Sequence, residues 1–115
     1  MAGSTVQRNC GLTVALSVTN TAHSSTLIDD TTNDQINYAS FLNTGASPIA
    51  VKFNNASPCP APVFPTDGTL GDYVLPAGMT SPLILATPTT PFYMTAISNN
   101  ATAGILYVTP VGDQS

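Results

Sequence analysis

The fold is decided by residues 72–113, DYVLPAGMTSPLILATPTTPFYMTAISNNATAGILYVTPVGD. Within this stretch Phe92, Met94 and Ala96 alternate with three other side chains over six positions. Residues two apart on a strand lie on the same face, so this spacing predicts a β-strand and not a helix. The Asn- and Gly-rich residues 99–104 that follow are typical of a hairpin loop. We therefore predict that the strand at 92–98 pairs with the strand at 104–109.

Short apolar segments separated by turn residues continue the pattern through the rest of the chain. Leu12, Val14, Leu16 and Val18 alternate with small or polar residues, as in a strand that buries one face. The turn Asn43-Thr44-Gly45 predicts a second hairpin between its two flanking strands. The other strand candidates are residues 26–28, 35–42, 48–54, 73–75 and 82–86. About seven or eight short strands with no helical stripe predict an all-β fold, an antiparallel β-sandwich of jelly-roll-like type.

The length of 115 residues is that of one domain with one core. Residues 1–10 are polar and without pattern, which predicts a flexible N-terminal arm. Residues 11–115 form the predicted single β-sandwich domain. Inside it, the proline-rich residues 57–65 lack several backbone donors and are expected to run as coil or as an edge segment. Residues 111–115 are expected to form a short polar tail.

The chain has few charged residues: two basic, six acidic and no Glu, for a net charge of −4. Such a surface can belong to a monomer that hydroxyl and amide groups keep in solution. It can also be a surface that other protein covers, because charged residues are depleted in the cores of interfaces. We favour the second interpretation and expect a homo-oligomer.

The same composition argues against several partners. Nucleic-acid binding needs clustered Lys and Arg, and this chain has only Arg8 and Lys52. No apolar run approaches the ~18 residues of a membrane span, so no membrane partner is expected. Residues 1–10 have no basic start followed by an apolar segment, so we expect no secretory signal and synthesis in the cytoplasm.

Residues that could carry catalysis or bind a metal are sparse. His23 is the only histidine and lies in a Thr- and Ser-rich stretch with no pattern of a hydrolase triad around it. Asp29, Asp30 and Asp34 form the densest acidic cluster, which suits a turn better than a calcium loop because the Gly and terminal Glu of that loop are absent. We predict no catalytic, cofactor-binding or metal site, and a protein that is not an enzyme.

Two further sets of residues leave alternatives open. Cys10 and Cys59 are either two independent buried thiols or a disulfide between the arm and the middle loop. Seven aromatic residues are either core and interface anchors, which we favour, or a carbohydrate platform. These are Tyr38, Phe53, Phe64, Tyr73, Phe92, Tyr93 and Tyr107.

Three segments together resemble a known family. They are NTGASPIAVKF (43–53), YVLPAG (73–78) and GILYVTPVGD (104–113). The pattern of an N-T-G turn with an apolar strand, an L-P-x-G turn and a final Y-V-T strand resembles that of small β-sandwich proteins of tailed-bacteriophage particles, in particular capsid decoration (cement) proteins and related accessory proteins.

The resemblance implies a structural protein of the virion that adds to the assembled head, bridges neighbouring capsomers and resists internal pressure. It implies the major capsid protein or other virion proteins as partners, and homo-oligomers, often trimers. We expect Met1 to Asn9 and Ser57 to Pro65 to be the contact segments, because arms and proline-rich loops can order against a neighbour. The alternative is a binding module at a fibre or tail tip that recognises a glycan or protein of the host surface.

Overall fold

The structure is a computed structural model that describes residues 7–29, 31 and 38–113. The described chain contains nine strands and no helix, which confirms the all-β prediction. The strands are β1 (Gln7–Asn9), β2 (Val14–Val18), β3 (Thr26–Ile28), β4 (Tyr38–Asn43), β5 (Ile49–Asn54), β6 (Tyr73–Leu75), β7 (Leu83–Ala86), β8 (Phe92–Ser98) and β9 (Gly104–Asp113).

The strands form two antiparallel sheets that pack face to face. Sheet I has the order β2-β9-β4-β7, with β1 paired to the far end of β9 beyond β2. Sheet II has the order β3-β8-β5-β6. The pairs β2/β9, β3/β8, β4/β7 and β5/β6 are nested one inside the next, which is the winding of a jelly roll. The predicted sandwich is therefore confirmed, with a jelly-roll topology.

The core lies between the sheets and is built from alternate residues of each strand. In β9, Leu106 and Val108 are fully buried, whereas Tyr107 between them is exposed. Phe53 of β5 joins the two sides of the core, because its ring lies 5.6 Å from that of Phe41 in sheet I and 5.7 Å from that of Phe92 in sheet II. The Phe53–Phe92 contact is edge-to-face, a geometry that stabilises a core beyond the area it buries.

Both predicted hairpins are wrong. The β4 and β5 strands, on either side of Asn43-Thr44-Gly45, belong to different sheets, and so do β8 and β9 on either side of residues 99–103. Each of these loops is an arch that carries the chain across the core from one sheet to the other. Alternation indicates which face of a strand is buried, but it does not indicate the strand that lies beside it.

The ends of several elements also differ from the sequence prediction. The exposed fraction of Leu12 is 77%, and the strand that was expected to include it begins at Val14. Gln7–Asn9, which fall in the predicted arm, pair with Val111 to Asp113. Residues 111–113 therefore extend β9 instead of forming a polar tail. The rest of the predicted arm before residue 7, and the predicted strand residues 35–37, lie outside the described residues.

The three segments that carry the family resemblance meet at one end of the sandwich. The Gly78 amide donates to the carbonyl of Gly45 over 2.9 Å, and the Thr44 amide donates to the carbonyl of Ile105 over 3.0 Å. A methyl group on Gly45 would lie 2.8 Å from the Cα of Gly104, so the two arches touch backbone to backbone. These motifs therefore close the end of the fold, where only glycine allows so close an approach.

Candidate functional surface

His23 stabilises the turn between β2 and β3 through hydrogen bonds. Its backbone amide donates to the carbonyl of Ala96 over 2.8 Å. Its Nδ1 lies 2.9 Å from the carbonyl oxygen of Ser24, and because a carbonyl only accepts, Nδ1 carries the proton and donates it. The ring is thus held by the backbone of its own turn.

The predicted acidic cluster is described only in part. Asp29 is exposed at the end of β3, whereas Asp30 and Asp34 lie outside the described residues. Among residues 7–29, 31 and 38–113, no three His, Cys, Asp or Glu side chains are grouped in a way that could hold a metal ion.

A small depression lies at the arch end, between Ser47, Ser98 and Asn100. Its volume is about 30 Å³. That space accommodates one or two water molecules, whereas pockets for small organic ligands measure about 300–1,000 Å³. The Nδ2 of Asn100 already donates to the hydroxyl of Ser47 across it, over 3.0 Å. The arrangement suits an ordered water better than a substrate.

The proline-rich residues 57–65 form no strand and pack on the outer face of sheet II. The thiol of Cys59 is buried there and donates to the carbonyl of Lys52 over 3.4 Å. The hydroxyl of Thr95, on the outer side of β8, donates to the carbonyl of Pro60 over 2.8 Å. Cys10 is also buried, beside β9 of the opposite sheet, and both cysteines are thiols. The segment expected to contact a neighbouring protein therefore uses its inner side to cover its own sheet.

A compact loop follows this segment. The Val63 amide donates to Oδ2 of Asp72 over 2.7 Å, and the Asp72 amide donates back to the carbonyl of Val63 over 2.8 Å. A turn at the loop tip closes with the Thr69 amide donating to the carbonyl of Thr66. Leu70 projects from the loop with 95% of its side chain exposed.

Over the part of sheet I where β2, β9, β4 and β7 lie side by side, the described outer face carries no charged side chain, whereas the outer face of sheet II carries Lys52. In the middle of this part of sheet I, Tyr107 of β9 lies opposite Ala15 of β2 on one side and Leu42 of β4 on the other. The next row holds Thr109, Ser40 and Ile84. We call this surface the neutral face; it consists of Ala15, Ser17, Ser40, Leu42, Ile84, Ala86, Ile105, Tyr107 and Thr109.

A solvent-facing sheet ordinarily alternates apolar and polar or charged residues, with the polar ones outward. Here most of the outward residues are apolar or aromatic and the remainder are hydroxyls. The sequence already indicates an uncharged surface, because no charged residue occurs from Tyr73 to Gly112. Which of those residues point outward could be assigned only with the strand register.

The aromatic residues divide between the core and the surface. Phe53 and Phe92 are in the core, as expected, together with Phe41. Tyr38 and Tyr107 are exposed on sheet I, and Tyr73 is exposed on β6. Leu42 of β4 lies opposite Tyr107, and Tyr38 is four residues from Leu42, so the backbone positions of the two tyrosines are about 14 Å apart along the strands. The spacing does not form a continuous stacking platform for a sugar.

No family model matches the chain, and comparisons with curated proteins and with solved structures gave no match either. The likeness to phage decoration proteins thus continues to rest on the three motifs. No membrane-spanning helix was found in the part of the chain that the structure describes.

Proposed function

We propose that this protein is a structural protein of a virus particle, a capsid decoration protein that binds the assembled head of a tailed phage through the neutral face of sheet I. The observation that carries the proposal is the exposure of this uncharged, largely apolar face. Packing such a face against protein removes apolar area from water and desolvates no charge.

The size of the neutral face suits attachment in many copies. Four strands about 4.8 Å apart and five residues of about 3.4 Å each give roughly 330 Å². At about 25 cal/mol per Å² of apolar area this face contributes at most about 8 kcal/mol, which is similar to the cost of association of about 4–15 kcal/mol. A single contact is therefore weak. Copies that also touch one another at adjacent sites on a shell would bind firmly.

The jelly-roll topology supports the proposal by analogy, since jelly rolls are common in viral capsids. They also occur in lectins and in enzymes of the cupin type, so the fold alone does not give the function. The small volume of the depression at the arch end favours a structural role over a substrate-binding one.

Binding to shells tests the proposal directly. Purified protein would be mixed with heads of the encoding phage from which it has been removed, and co-sedimentation in a gradient would be measured. Tyr107→Asp places a charge in the middle of the neutral face and should reduce binding at least about tenfold, because the carboxylate must be desolvated. Tyr73→Asp is the matched control, since Tyr73 is an exposed tyrosine of sheet II. Equal binding of both variants would refute the assignment of the face.

Copy number separates this proposal from the fibre or tail-tip alternative. Quantitative mass spectrometry of purified particles should find the protein in hundreds of copies. A handful of copies would favour the tip, and absence from the particle would exclude both.

A further inference from the structure

We propose that β7 is a dimerisation edge, at which two copies of this chain join their sheets I through antiparallel pairing about a two-fold axis at Leu85. The inference goes beyond the proposed function and does not depend on it. It rests on the direction of the backbone groups of β7 and on the positions of two prolines.

The direction of the backbone groups follows from hydrogen bonds at β9. The Cys10 amide donates to the carbonyl of Pro110 over 3.0 Å, so that carbonyl points toward β1 and away from β4. In an antiparallel ladder the N–H and C=O of one residue point to the same side, and residues directly opposite either bond each other or both point away. Ala39 of β4 lies opposite Pro110 and therefore directs its own groups to β7.

The open groups of β7 can now be assigned. Ala39 lies opposite Leu85, so Leu85 forms the ladder bonds with β4. Its neighbours Ile84 and Ala86 must point their N–H and C=O groups away from β4. Within the described chain β4 is the only strand paired with β7, so these four groups face an open edge. An open strand edge is a template for pairing with another strand.

The backbone N–H donors on the open edge of β7 are arranged symmetrically about Leu85. Ile84 and Ala86 are one residue away on either side, and Pro82 and Pro88 are three residues away. Pro82 and Pro88 occupy the next positions that point to the open edge of β7, and neither has an N–H to donate. When two β7 strands pair about Leu85, Ile84 lies opposite Ala86 of the second copy, and the two pairs form four hydrogen bonds. The prolines then end the ladder at both sides.

The side chains fit a second copy of the same strand. Ile84 and Ala86 both belong to the neutral face, so each large side chain would lie across from a small one. No charged residue occurs between Tyr73 and Gly112, so the two paired β7 strands themselves place no like charges opposite each other. The pairing would also join two neutral faces into one continuous surface. It gives a two-fold dimer, in place of the trimer that the family resemblance implies.

Proline substitutions on two edges of the same sheet test the proposal. By the same ladder argument, Ala15 of β2 points its backbone groups to the opposite open edge of sheet I. Ala86→Pro removes two of the four interchain bonds and should weaken the dimer about tenfold or more, whereas Ala15→Pro should leave it unchanged. Sedimentation of the full chain should give twice the mass of the 11.8 kDa chain for the wild type and for Ala15→Pro. Circular dichroism would verify that both variants are folded.

Amide hydrogen exchange provides a second measurement that needs no variant. Protection of the Ile84 and Ala86 amides should rise with protein concentration, whereas protection of the Ala15 amide should not. The proposal is overturned if the wild type stays at 11.8 kDa at millimolar concentration, if Ala15→Pro dissociates the dimer as strongly as Ala86→Pro, or if Ile84 and Ala86 exchange independently of concentration.

Discussion

The side-chain amide of Asn43 donates a hydrogen bond of 3.0 Å to the carbonyl oxygen of Pro76, 33 residues further along the chain. The same Nδ2 donates to the carbonyl of Ser47 over 3.0 Å, and Oδ1 accepts from the Gly45 amide. Asn43 is fully buried, so water cannot replace these partners. One side chain thus holds together the arch after β4 and the turn after β6.

Asn43→Ala should lower the free energy of unfolding by about 2–4 kcal/mol, because two carbonyls and one amide at this part-buried site lose their partner. Urea unfolding followed by circular dichroism measures the change. Asn100→Ala is the matched control: Asn100 also bonds Ser47 but is exposed, and its loss should cost less than about 1 kcal/mol. Similar losses for the two variants would contradict the assigned role of Asn43.

Gly45→Ala should destabilise the protein by about 2 kcal/mol or more, because its methyl group would lie 2.8 Å from the Cα of Gly104 and the two arches would have to separate. Gly68→Ala is the comparison. Gly68 has a φ of +76° but nothing within 4 Å of an added methyl group, so only backbone strain of about 1 kcal/mol is expected. Thermal unfolding of the two variants should rank Gly45→Ala as the less stable, and the reverse order would contradict the close contact.

Thr95→Val should loosen the proline-rich segment from sheet II. The substitution removes the hydroxyl that donates to Pro60 but keeps the shape of the side chain. We expect a loss of about 1–2 kcal/mol of stability and faster labelling of the Cys59 thiol, located by peptide mass spectrometry. Thr109→Val, which removes the hydroxyl next to Thr13 on the surface, should leave both quantities nearly unchanged. Unaltered labelling of Cys59 in Thr95→Val would show that another contact holds the segment.

Asp72→Ala should open the loop of residues 63–72. The carboxylate of Asp72 accepts the Val63 amide, and its loss removes one of the two bonds that close the loop. Thermolysin should then cleave before Leu70 several-fold faster than in the wild type, since proteolysis follows local opening. Asp67→Ala changes an exposed carboxylate at the tip of the same loop and is the control. If both variants are cleaved at the wild-type rate, the Asp72 carboxylate is not what closes the loop.

The positions of the strands could be predicted from the sequence, whereas their pairing could not. Alternation in residues 92–98 reflects a buried and a less buried face, and that contrast is visible in one strand alone. Pairing depends on contacts between distant segments, such as β2 with β9 and β3 with β8. The turn chemistry at Asn43-Thr44-Gly45 suited an arch as well as a hairpin. The arch contains the bond from Asn43 to the carbonyl of Pro76, and the partner at position 76 carries no sequence signature that points to it.

The composition predicted a protein surface that is poor in charge, but it did not indicate where on the molecule the neutral face lies. The scarcity of charge indicated a covered surface, but the segments chosen to make contact were residues 1–9 and 57–65. Residues 57–65 lie across sheet II with Cys59 buried beneath them, and contact of their outer side with a neighbour stays a prediction. Proline content indicates that a segment cannot enter a ladder, and it does not distinguish a segment that reaches outward from one that lies across its own sheet.

The position of β9 has a consequence for biosynthesis. This strand lies between β2 and β4 in sheet I, yet it is translated after every other strand described. While the nascent chain is on the ribosome, β1 and β2 have no neighbour in their sheet, and β4 has only β7, until residues 104–113 leave the exit tunnel. Sheet I therefore forms late and from segments far apart in the chain, which makes folding slow and leaves apolar strands open to chaperones in the meantime.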